Sequence, residues 1–147
     1  MEFNSQVATN RQQSERLIAL GIKKETADMY YPPFYFENSL IDYFDAKVLG
    51  GSVREEMMAG YEEYKDYIPA WSLHRLWELL GKIKKYEGED ELLYPRISLE
   101  EDNVIFISPK SIWARRNFCS TKGAYENIIN CFEELIKEGY FNKEYLV

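Results

Sequence analysis

His74 is the only histidine in the chain, so any chemistry that needs an imidazole must run through one position. A metal site built on several histidines is excluded, and a Ser–His or Cys–His nucleophile pair can form only around that ring. Glu78 stands four residues on, a spacing that lets two side chains meet on a helix, where the carboxylate could orient His74 as a general base. The same spacing describes a boundary histidine with a surface partner, which needs no catalysis. Ser72 lies two residues before His74 and so faces another side of a helix, unless the helix begins later. Cys119 becomes a nucleophile only if the fold brings His74 beside it. Cys131 sits at the margin of an apolar stripe, the usual place for a core thiol.

Carboxylates come in runs: Glu55-Glu56, Glu62-Glu63, Glu89-Asp90-Glu91, Glu100-Glu101-Asp102 and Glu133-Glu134. A hydrolase or a magnesium site needs carboxylates that converge from separate elements, and neighbours on exposed helix faces and turns do not show this. Two cysteines without a CxxC spacing, and one histidine, make no zinc set. Neither a phosphate loop nor a dinucleotide fingerprint is present, so no cofactor is expected. The one basic stretch is Lys110, Trp113, Arg115, Arg116 and Lys122. Arginine beside an exposed aromatic ring can stack on bases and contact phosphate. Charge on a sheet edge also blocks unwanted strand pairing, which is the plainer reading.

The overall balance weighs against nucleic acid: 25 acidic and 18 basic residues give a net charge of −7, whereas a phosphate-gripping protein needs a positive footprint. Mimicry of nucleic acid by an acidic surface is a further option, though most acidic domains are simply kept in solution by their charge. Aromatic residues are abundant at 16%, and tyrosine and tryptophan join an apolar body to a polar tip. Such residues fill shallow cores or form contact faces, and Trp71, Trp113, Tyr140 and Phe141 are the candidates for a face. The segment Met1 to Ser5 has neither a basic start nor an apolar stretch, and nothing approaches the roughly 20 apolar residues of a membrane span. A cytoplasmic protein with reduced thiols and no membrane association is therefore expected.

The elements that must position these residues read as helices first, then a small sheet, then one strong helix. Thr9 with Gln12 looks like a capping box, followed by Leu17, Ile18 and Leu20, with Gly21 placed to stop the helix. A short second helix is expected around Thr26, Ala27 and Met29, ended by Pro32-Pro33. Between Phe34 and Gly51 the pattern fits strand at Phe34-Tyr35-Phe36 or helix through Leu40, Ile41, Phe44 and Val48 behind an Asn38 cap. Gly50-Gly51 is a break. Ser52 with Glu55 suggests another capping box, opening a helix with Met57, Tyr61 and Tyr64 on one face.

From Ser72 to Leu80 the spacing of Leu73, Leu76, Trp77 and Leu80 predicts a helix that Gly81 terminates. Lys82 to Glu91 reads as a solvated loop. The period then changes to two: Ile97 and Leu99 on an edge strand, a turn at Glu100 to Asn103, a central strand at Val104 to Ile107 and a third strand within Ile112 to Phe118. Ala124, Tyr125, Ile128, Ile129, Phe132, Leu135 and Ile136 form one broad apolar stripe opposite Glu126, Asn130, Glu133, Glu134 and Lys137. Gly139 ends that helix, and Tyr140-Phe141 is expected to fold back on its last turn.

Three stretches, Ser14-Glu15-Arg16-Leu17 to Leu20-Gly21, Thr26 to Tyr31, and Ile68 to Leu73 leading to Leu79-Leu80, carry a resemblance. With the C-terminal helix ending in Gly139-Tyr140, they resemble a family of small uncharacterised proteins of gut bacteria and their phages or mobile elements. That family's pattern has a proline directly after the leucine pair, where this chain has Gly81. The resemblance implies an accessory protein rather than a metabolic enzyme, and it carries no catalytic residue.

The sequence therefore predicts one α+β domain over residues 1–147. It comprises a helical N-terminal half, an antiparallel sheet of three or four strands with its hairpin at about 94–108, and a C-terminal helix at about 122–138. Its expected function is non-catalytic protein–protein interaction through Trp71, Trp113, Tyr140 and Phe141. The alternatives are a nucleic-acid-associated role through Arg115 and Arg116, and an enzyme centred on His74.

Overall fold

The computed structural model describes residues 6–32, 46–62, 65–81, 83–84, 92–98, 103–107, 115–118 and 123–147, with the strands from 83 to 118 described by their backbone pairing. The architecture is α+β, as the change of period predicts. The chain divides into two compact units, residues 1–75 with Val147, and residues 76–146. Their boundary falls inside a helix, which is why no linker is visible in the composition.

The first unit opens with helix α1, Arg11–Ala19. Its capping box is Asn10 with Gln13, one residue later than the Thr9–Gln12 pair the sequence suggests: Asn10 Oδ1 accepts from Gln13 N, and Gln13 Oε1 accepts from Asn10 N. Thr9 is withdrawn from capping because it is buried and its hydroxyl lies 2.8 Å from that of Ser14. Gly21 stops the helix as expected, in the left-handed conformation at φ +89°. Gly21 N donates to the Ile18 carbonyl and Ile22 N to that of Leu17, and the buried Leu17 and Ile22 are the pair that such a cap brings together.

The expected second helix is instead a 3-10 turn, Lys24–Thr26, followed by strand β1, Met29–Tyr31. Pro32 biases Tyr31 away from helical backbone. β1 lies between β2, Lys47–Val48, and β3, Ile68–Ala70, in an antiparallel sheet that was not foreseen. Tyr30 pairs with Pro69, which a strand tolerates because β3 is at the sheet edge. α1 rests on β3, and Ala8, Tyr31 and Ala70 are fully buried together.

Helix α2, Gly51–Met58, has Gly50 as its N-cap and no capping side chain, so the Ser52–Glu55 box does not form and Gly50-Gly51 begins a helix rather than breaking one. None of its residues is buried. It is tethered through Arg54, whose guanidinium donates to the carbonyls of Glu25 and Ala27 at 3.0 and 2.9 Å. The helix ends before Tyr61, which is exposed; Tyr64, Asn38 and the segment from Phe34 to Phe44 lie outside the described residues, and Val48 is in β2.

The second unit carries most of helix α3, Leu73–Leu80, and a four-stranded antiparallel sheet. Its strands are β4 (Ile83–Lys84), β5 (Leu92–Ser98), β6 (Asn103–Ile107) and β7 (Arg115–Phe118), in that order across the sheet. The β5–β6 hairpin and the interior place of β6 match the sequence reading, with Ser98 opposite Asn103. β5 is not the edge, however. β4, within the stretch read as a loop, covers it at Leu92 and Leu93 and stops short of Pro95, which has no N–H to give a ladder.

Helix α4, Ala124–Lys137, lies against β6 and β7. Tyr125, Ile128, Ile129, Cys131, Phe132 and Leu135 are buried, as the stripe requires, along with Asn127. Tyr140 N and Phe141 N both donate to the Leu135 carbonyl, so the chain does fold back over the last turn.

Candidate functional site

The helix-turn chemistry that ends α4 also builds a concave surface. Gly139, at φ +79°, donates to the Ile136 carbonyl while Tyr140 donates to that of Leu135, which reverses the chain direction. Phe141 drops into the core, 4% exposed, with its ring centroid 5.0 Å from that of Phe132. Asn142 then caps a 3-10 turn, Lys143–Tyr145, its Oδ1 accepting from Glu144 N at 3.0 Å. The turn returns Tyr145 edge-on to Phe141, with centroids 6.3 Å apart. Phe132, Phe141 and Tyr145 thus form a stack that fixes the position of the last ring.

Beside this stack lies a cleft of about 570 Å³, open on one side. Its floor is Leu79, Leu80 and Gly81, where α3 ends. The facing wall is Gly139, Tyr140, Asn142 and Tyr145. The volume falls within the roughly 300–1,000 Å³ of small-ligand and side-chain pockets. Two half-buried tyrosines and an asparagine, beside leucines that are almost fully buried, give the cleft a lining of mixed polarity. Both α3 and α4 reach the cleft with their C-terminal ends, and the last-turn carbonyls of α4 at Glu134, Leu135 and Ile136 are taken up by the amides of Glu138 to Phe141.

The residues singled out from the sequence are placed differently. Trp71 is no contact residue: it is 0% exposed, and its indole Nε1 donates to Thr26 Oγ1 at 3.0 Å. Phe141 is also core. Of the four aromatics, Tyr140 reaches the cleft, and Trp113 lies outside the described residues with Lys110 and Lys122. Arg115 and Arg116 lie on β7, opposite Ile107 and Phe106, and β7 is the edge of its sheet. That location suits charges that discourage edge pairing.

His74 and Glu78 are exposed on α3. Ser72 does not serve His74. Its amide and hydroxyl both donate to the Asp28 carboxylate, and its Oγ accepts from Arg75 N at 3.1 Å, so it is the N-cap of α3. Cys131 is buried, and Cys119 lies outside the described residues. Among the described residues no three His, Cys, Asp or Glu side chains cluster where they could hold a metal, and no helix is long and apolar enough to cross a membrane.

Sequence reasoning missed Leu79, Leu80, Asn142 and Tyr145 as parts of one site. The leucines carried only a core signal, and Asn-Lys-Glu-Tyr after the helix had no period to mark it. No protein-family model, curated protein or solved structure matches this chain.

Proposed function

We propose that this protein is a non-catalytic binding domain that takes an anchoring side chain of a protein partner into the cleft between Leu79-Leu80 and Tyr140–Tyr145. The observation that carries this reading is a preformed cleft of about 570 Å³ whose lining includes two half-buried tyrosines. Protein interfaces concentrate their energy where an anchor enters such a pocket, and tyrosine is enriched there. A random-peptide display library selected against the folded chain provides the test. Selected peptides should lose binding on Tyr140→Ala or Tyr145→Ala while the thermal transition persists. Peptides that bind both variants as tightly as the parent, or a library that yields none, would overturn the reading.

A further inference from the structure

Successive residues of a strand point to opposite faces of its sheet. On β1, Tyr31 is buried with Ala8 and Ala70 on the face where α1 rests, and Met29 and Ile68 pack against the same group. Tyr30 therefore belongs to the other face, where it is 6% exposed and its ring meets that of Tyr67 edge-on. Burial raises both phenols, and the smaller influences on them include two charges of α2, Glu56 acting on Tyr30 and Arg54 on Tyr67. The first sheet thus has α1 on one face and α2 on the side of Tyr30. We infer that α2 is a detachable flap over this second face, latched by Arg54.

α1 and α2 are nearly equal in length, nine and eight residues, and both fall below the roughly 12–15 that an isolated helix needs in water. Each is held by what it touches. α1 buries Gln13, Ser14 and Leu17 and opens on a complete capping box. α2 buries no residue and has no capping side chain, and Met58 in its last turn is 84% exposed. Its inner side is Val53, Arg54 and Met57, all half-buried. The Arg54 guanidinium forks onto the carbonyls of Glu25 and Ala27, and hydrogen bonds from a charged donor are about twice as strong as neutral ones. Gly50 and Gly51, with open space around both, give the chain a hinge at the start of the helix. Elements with little buried contact open far below the free energy of global unfolding. α2 therefore leaves and returns as a unit while α1, β1 and β3 stay folded, and each departure bares Tyr30.

The test joins amide hydrogen exchange of the full chain to nitration of its tyrosines by tetranitromethane. Relative to their intrinsic rates, the amides of Arg54, Ala59 and Gly60, bonded to carbonyls in or beside α2, should exchange about a hundredfold faster than the buried amides of Thr9 and Trp71. Arg54→Gln should speed both α2 exchange and Tyr30 nitration by about tenfold, the worth of a charged hydrogen bond. Exchange at Thr9 and Trp71, and nitration of Tyr31, should not change. Gly51→Ala, which restricts the opened chain, should slow α2 exchange and Tyr30 nitration by about twofold to fivefold. α2 amides that exchange no faster than those of Thr9 and Trp71 would overturn the flap. So would Tyr30 nitrating no faster than Tyr31 while α2 exchanges early, because the helix would then open without baring that face. An Arg54→Gln effect of equal size at Thr9 and Trp71 would make Arg54 a fastener of the whole unit and overturn the latch.

Discussion

Thr9 and Trp71 bind each other through two hydrogen bonds: Thr9 N donates to the Trp71 carbonyl at 2.9 Å, and Trp71 N donates to Thr9 Oγ1 at 3.0 Å. Both residues are fully buried, and the Thr9 carbonyl also accepts from the Tyr31 hydroxyl at 2.8 Å. One threonine thus ties the start of α1 to β1 and to the segment that follows β3. Thr9→Val keeps the shape but removes the acceptor for a buried N–H, so it should cost about 1–3 kcal/mol. Thr9→Ser keeps the hydroxyl and should cost less. Urea unfolding of the two variants checks this, and equal losses would mean that the methyl group, not the hydrogen bond, is what matters.

Two glycines separate conformational need from space. An added Cβ would meet nothing within 4 Å at either Gly51 or Gly139. Gly139 has φ +79°, which costs an L-residue about 1–2 kcal/mol, so Gly139→Ala should destabilise by that amount. Gly51 is the first residue of α2 at an ordinary φ, and Gly51→Ala should be neutral or stabilise by about 0.4–1 kcal/mol through the unfolded chain. Melting temperatures that move in the same direction in both variants would contradict this account.

Leu135 is fully buried, and its carbonyl receives both Tyr140 N and Phe141 N. Leu135→Ala leaves those backbone bonds available and opens a cavity, for a loss of about 2–5 kcal/mol. Leu135→Asp places a charge in the stripe and should abolish the cooperative transition, because burying an unpaired carboxylate costs more than a domain of this size can spare. A normal calorimetric transition in Leu135→Asp would place that face of α4 outside the core.

These contrasts show what the sequence could and could not carry. Gly21 and Gly139 were legible because a left-handed helix cap is a local demand that glycine meets almost alone. The stripe of α4 and the β5–β6 hairpin were legible from their period. Thr9 and Asn10 can both cap by type, Asn10 the better, and the Thr9 hydroxyl is drawn away by Ser14 nearby and by Trp71 far along the chain. Strands of two or three residues, such as β1, β2, β3 and β4, are too short to show a period, so the first sheet went unread. Asp28 holding Ser72 is equally long-range and decides where α3 begins. The same holds for the site. Leu79-Leu80 and Gly139-Tyr140 were each read correctly as helix ends, but only the fold sets them around one cleft.

Tyr30 and Tyr67 give the protein an alkaline limit. Their rings meet edge-on with centroids 6.5 Å apart. Burial pushes both phenols above their ordinary value, helped at Tyr30 by Glu56 and at Tyr67 by Glu25, against which Arg54 pulls Tyr67 back. A raised value means that the folded state keeps its phenol protons at a pH where the unfolded chain has begun to lose them. Stability from these groups is therefore fully present below the unfolded tyrosine value of about 10 and is lost as pH climbs through the higher folded values. Thermal melts from about pH 9 to about pH 11.5 should show a falling transition temperature. Tyr30→Phe with Tyr67→Phe keeps the rings and removes the titrating hydroxyls, so the decline should become shallower, whatever the double variant costs at neutral pH. A slope that stays as steep in the double variant would move the alkaline sensitivity to other tyrosines.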